Sequence, residues 1–90
     1  MSVKIHISPH LSHLANNQIV TDVNGNNVGQ CLSQVVNKFP ELKTQLFNNN
    51  GELNNNIEVY VNQKSSYPEG LVKTVEDGDE IHIVEMIVGG

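Results

Sequence analysis

The sequence predicts an α+β fold, a mixed four- to five-stranded sheet with one main helix packed across one face. Three observations carry that expectation. Apolar residues alternate with polar ones at Val3, Ile5 and Ile7, at Ile57, Val59 and Val61, and at Ile81 and Ile83, the period of a sheet with one buried face. A single segment, Val28 to Phe39, has helical spacing instead. The order of these segments, strands before and after one long helix, lets that helix cover one side of the sheet.

The first strand is expected over residues 3–7, with Lys4 and His6 on its wet side. Residues 9–17 have loop composition, and Gln18 to Val23 returns to β-branched, extended character. Asn24-Gly25 makes a turn. Asn27 followed by Gln30 fits a capping-box variant that satisfies exposed amides at a helix start. Val28, Cys31, Leu32, Val35, Val36 and Phe39 then fall on one stripe, and Pro40 ends the helix. Leu42, Leu46 and Phe47 suggest a short helical turn leading into an irregular stretch or minor strand. The two Asn triplets around Gly51 and Leu53 are expected to be an ordered surface loop, since Leu46, Phe47 and Leu53 punctuate them. Ile57 to Val61 is a one-sided strand followed by turn chemistry through Ser66. Leu71, Val72 and Val75 are expected to close the base of the core, Glu76 to Asp79 to form a tight acidic turn, and Ile81 onward the last strand.

Ninety residues imply one domain, 1–90, with a flexible tail from about residue 85. A 38% hydrophobic content suffices for a small core, and with two Phe, two Tyr and no Trp that core must be aliphatic. The formal charge of −5, with five Lys and no Arg, argues against nucleic-acid binding and favours basic partners. One cysteine excludes an intrachain disulfide and suits a reducing cytoplasm. Residues 1–7 lack a secretory pattern, and nothing approaches the roughly 20 apolar residues of a membrane span.

The element order is that of a ubiquitin-like β-grasp. Val28-Gly29 through Leu32, Phe39-Pro40-Glu41-Leu42, Val59-Tyr60-Val61-Asn62, Gly70-Leu71, Asp77-Gly78-Asp79-Glu80-Ile81 and a terminal Gly89-Gly90 occur in the order found in one family. Together they resemble the sulfur carriers that include the molybdopterin synthase small subunit and the thiamine sulfur carrier (MoaD/ThiS). The overall length, the 46–53 loop and the 62–67 hairpin look more like the carriers of cysteine or homocysteine synthesis. The tail Glu85-Met86-Ile87-Val88 departs from the molybdopterin subunits, which often carry prolines there.

The resemblance implies a non-enzyme, a co-substrate that binds no cofactor itself. An E1-like adenylating partner would use ATP to activate the Gly90 carboxylate, and sulfur would displace AMP to leave a thiocarboxylate. A sulfhydrylase or synthase would then draw sulfur from it. Gly89, Val88 and Ile87 would be the tail required for activation. Glycine suits an end that must enter a narrow catalytic channel, since it adds no side chain and tolerates unusual dihedrals. At about 7% usage, two glycines end a chain by chance in roughly 0.5% of cases. The alternatives are a molybdopterin synthase small subunit, a ubiquitin-like modifier joined to lysines through Gly90, and a plain interaction domain.

On the last strand, Ile81 and Ile83 should face the helix, leaving His82 and Val84 on the open face with Tyr60 and His6. Ubiquitin-like proteins dock through that face, so Tyr60, His82, Val84 and Met86 are the candidate partner-binding residues. Scattered apolar groups on an ordinary surface are the bland reading. Met86, Ile87 and Val88 are consecutive and apolar, and they suit an extended segment in a partner groove. No metal site is expected: His10 and His13 have no acidic or thiol neighbour, and Glu76 to Glu80 lacks the spacing of a calcium loop. Cys31, on the helical stripe, is read as a core residue.

Overall fold

The strands β1 (Ser2–Ile7), β2 (Val20–Asn24), β3 (Ile57–Val61), β4 (Lys64–Ser65) and β5 (Glu80–Glu85) form one mixed sheet in the order β2-β1-β5-β3-β4. This is a computed structural model, which describes residues 2–86. β5 is central, parallel to β1 with Ile5 opposite Ile81, and antiparallel to β3 with Val59 opposite Ile83. The helix α1 (Val28–Lys38) lies across one face, completing the β-grasp. No helix among the described residues is long and apolar enough to cross a membrane.

The alternating pattern is realised strand by strand. Val3, Ile5 and Ile7, Ile57, Val59 and Val61, and Ile81 and Ile83 are all buried, while their neighbours face outward. Val28, Cys31, Leu32 and Val35 of α1 meet them with no measurable exposure. The resulting core is aliphatic, with Phe39 adding an aromatic ring at the helix end. Burial pushes the Cys31 thiol up from its ordinary pKa, which keeps it in the inert thiol form.

At the helix start, Asn27 Oδ1 accepts from Gln30 N–H at 2.8 Å, and Gln30 Oε1 accepts from Asn26 N–H at 2.8 Å. The box thus reaches back one residue further than the usual reciprocal pair. Gly25 is needed beside it, because a Cβ there would sit 2.8 Å from Cys31 Sγ. Replacing Asn27 with Ala is expected to cost about 1 kcal/mol by urea denaturation, with Asn27→Asp recovering most of it. At the other end, the Lys38 ammonium donates to Thr21 Oγ1 at 2.8 Å and to the Asp22 carbonyl at 2.9 Å. It thereby shields part of the β2 edge, whose backbone would otherwise invite another strand.

Four details differ from the sequence reading. Residues Pro9–Leu14 form a 3₁₀ helix rather than an open loop, because Ser8 Oγ caps it and Leu11 plugs into the core. β2 starts at Val20, since Asn16 and Asn17 take left-handed φ values of 54° and 63° and turn the chain first. The minor strand shrinks to a bridge between Phe47 and Leu53, after the short helix α2 (Lys43–Leu46). Around it Asn48 Oδ1 accepts from the amides of Asn50 and Glu52, which orders the first Asn triplet. Val72 is 74% exposed and does not close the core; buried Val75 does so, with partly buried Leu71 packed against it.

Candidate functional site

The face of the sheet away from α1 is built from three cross-strand rows. The first contains Asp22, Lys4 and Glu80, with Asn62 beyond them: Asn62 N–H donates to the Glu80 carbonyl and Glu80 N–H to Asn62 Oδ1. The second runs Val20, His6, His82, Tyr60, Ser65 across all five strands. The third pairs Val84 with Glu58, whose carboxylate accepts from Ser65 Oγ at 2.8 Å. Polarity therefore falls along β5, from charged at Glu80 to apolar at Val84 and Met86.

Parallel pairing of β1 with β5 places His6 beside His82, and the two rings stack with centroids 4.1 Å apart and planes 2° apart. His6 Nε2 lies 2.6 Å from Glu80 Oε1. That hydrogen bond, with the nearby Lys4 and imidazoles, holds the Glu80 carboxyl below the usual carboxylate range. Asp79 is also held low, first by the Asn62 side-chain amide at 2.9 Å and then by Glu76 N–H. Its turn is further fixed by Gly78, with φ of 88°, whose N–H donates to the Ser2 carbonyl at 2.9 Å.

Tyr60 and His82 are direct cross-strand neighbours, Val84 follows on the same face, and Met86 is 44% exposed at the end of the strand. Met86 N–H donates to the Asn56 carbonyl at 2.6 Å, so the chain is tied to the sheet up to that residue. Ile87, Val88, Gly89 and Gly90 lie outside the described residues.

Two residues join the patch that the sequence reading left out. Ile19 and Val20 are 54% and 41% exposed, and with His6, Pro9, His82 and Val84 they line a shallow groove of about 330 Å³. Ile19 and Val20 fell inside the expected strand Gln18 to Val23, but their exposure and their position next to Val84 follow from sheet order. His10 and His13 are exposed on the 3₁₀ helix. Among the described residues no group of three His, Cys, Asp or Glu is placed to hold a metal ion.

The profile of the ThiS family matches residues 5–90. No curated protein matches the chain. Among solved structures, the small archaeal modifier protein SAMP1 from Haloferax volcanii is 25% identical, covers 100% of both chains and superposes with a TM-score of 0.88. A chain of the BexX/CysO complex from Amycolatopsis orientalis is 26% identical over 98% of this chain and 99% of its own, with a TM-score of 0.88. The small archaeal modifier protein 1 from Methanosarcina acetivorans is 27% identical over 99% and 96%, with a TM-score of 0.87.

Proposed function

This chain belongs to the ThiS family of ubiquitin-like sulfur carriers, and on that premise we propose that its Gly90 carboxylate is the group that carries sulfur. The observation that supports this most is the profile match, which runs to the Gly-Gly pair itself. A carboxylate is a poor acyl donor, because its leaving group would be oxide. An ATP-dependent, E1-like partner removes that barrier by forming an acyl adenylate at Gly90. A sulfide equivalent then attacks the carbonyl carbon and AMP departs, leaving a thiocarboxylate.

The thiocarboxylate is a soft nucleophile that a second enzyme, a sulfhydrylase or synthase, uses to place sulfur on a small molecule. Hydrolysis returns the carboxylate. The chain contributes recognition and reach rather than catalysis. From Met86, four residues extend at most about 13 to 14 Å, enough to thread an active-site channel. Tyr60, His82, Val84 and Met86, with Ile19 and Val20, supply the docking face, and ATP serves the partner.

Intact-mass measurement tests the reading directly. Incubation with the adenylating enzyme, ATP and a sulfur source should raise the chain's mass by about 16 Da, one oxygen exchanged for sulfur. An unchanged mass under conditions where ATP is consumed would refute it. A second reading is favoured by the likeness to the archaeal modifier proteins. In it, the same activated Gly90 is joined to lysine amines of other proteins, and stable adducts in cells would reveal it.

A further inference from the structure

Two imidazoles stacked face to face at the centre of a docking surface form an unusual floor. A parallel pair at 4.1 Å packs well when at least one ring is neutral, whereas a proton on each would set two cations against one another. Glu80 offers His6 a counter-ion at 2.6 Å. Among the described residues His82 has none at that distance, and its Nδ1 is buried there without a hydrogen-bond partner. Among the described residues, the charged and titratable groups that share the face are Lys4 on β1, Asp22 on β2, Glu58 and Tyr60 on β3 and Glu80 on β5; Lys64 on β4 pairs with buried Val61 and lies on the opposite side, and His10 stands on the adjoining 3₁₀ helix. In the rows around the stack this sets three carboxylates against the one ammonium of Lys4.

We propose that the His6–His82 stack makes docking of the adenylating partner proton-sensitive, with the complex favoured when His82 is neutral and released as the medium acidifies. The inference rests on the reading of this face as the docking surface. Two effects point the same way. An acidic face selects a basic partner, and each added proton weakens that attraction. A charged ring in the middle of the row Val20, His6, His82, Tyr60 must also be stripped of water when the partner covers it, which costs binding energy that a neutral ring does not.

The test compares the whole chain with His82→Phe, which keeps a ring in the stack and removes its titration. Calorimetric affinity for the purified adenylating enzyme is read at about pH 7.5 and about pH 5.5, the interval over which imidazoles titrate. The expected result is an approximately tenfold loss for the natural chain and less than about twofold for H82F, whatever the variant's absolute affinity. Equal losses in both would overturn the inference while leaving docking in place. Absence of binding at either pH would overturn both it and the docking reading. An imidazole-detected NMR titration of the free chain gives a separate readout. Two coupled steps for His6 and His82, reduced to one in H82F, support the inference; independent titration of the rings refutes it.

Discussion

Deleting Gly89 and Gly90 abolishes charging while leaving the fold intact. The shortened chain would end on Val88, whose β-branched side chain is stiff and flanks the new carboxylate. Its reach also falls by about 7 Å, two residues of extended chain. A carboxylate displaced that far cannot meet the α-phosphate of ATP in a partner's site, where a shift of even about 1 Å can cost a hundredfold. ATP–pyrophosphate exchange should therefore drop by at least about two orders of magnitude, and no thiocarboxylate should form. The melting temperature should stay put, because β5 is fixed by the pairing of Glu85 with Ile57 and by the Met86 amide, all upstream of the deletion. Gly90→Ala separates length from shape. It keeps the reach and adds one methyl, so an intermediate loss of about tenfold is expected if the channel is narrow. Full charging of the truncated chain would remove Gly90 from the mechanism.

The parts of this molecule that were legible in the sequence are those governed by local period. Val28 to Phe39 announced a helix because six apolar positions fall on one stripe, and Asn27 and Gln30 marked its start. His82 and Val84 were placed on the open face by counting alternate residues from buried Ile81 and Ile83, and Tyr60 by alternation with buried Val59 and Val61. What escaped depends on pairing between distant segments. His6 and Glu80 are 74 positions apart, so neither their hydrogen bond nor the His6–His82 stack has a local signature. β4 carries no period of its own in two residues and was legible only as the 62–67 hairpin; it exists through the left-handed Asn62-Gln63 turn, which folds Lys64 and Ser65 back onto β3. Val72 misled because an apolar residue beside Leu71 looks like core, yet the 3₁₀ turn at Gly70–Val72 turns Leu71 inward and leaves its neighbour outside. The Gly-Gly pair is the reverse case: the role proposed for Gly90 was read from residue type alone, and the pair lies outside the described residues.

Charging Val84 is the sharper test of the face itself. Val84 is 37% exposed, lies between His82 and Met86 on the open side of β5, and borders the groove with Ile19 and Val20. An aliphatic side chain at the centre of a docking patch contributes by being fully covered, so a carboxylate there loses the apolar contact and must also be desolvated. Val84→Glu is expected to weaken binding of the adenylating enzyme about a hundredfold, roughly 2.7 kcal/mol. It also faces Glu58 across the strand pair, and that like-charge contact should lower stability by some tenths of a kcal/mol. Val84→Lys resolves the ambiguity this creates. Lysine pairs favourably with Glu58, so stability should hold, yet it places a cation against a partner selected for its positive charge. Binding by V84K should consequently fall further than by V84E, even though V84K is the more stable protein. If V84E proves the weaker binder, the partner's surface is anionic and the acidic face does not steer it. Val72→Glu completes the comparison: this residue is more exposed than Val84 but sits on the 3₁₀ turn against the start of α1, on the helix side of the sheet. Affinity within about twofold of the natural chain there, with the losses at Val84, would show that binding depends on the open face rather than on exposed apolar surface in general.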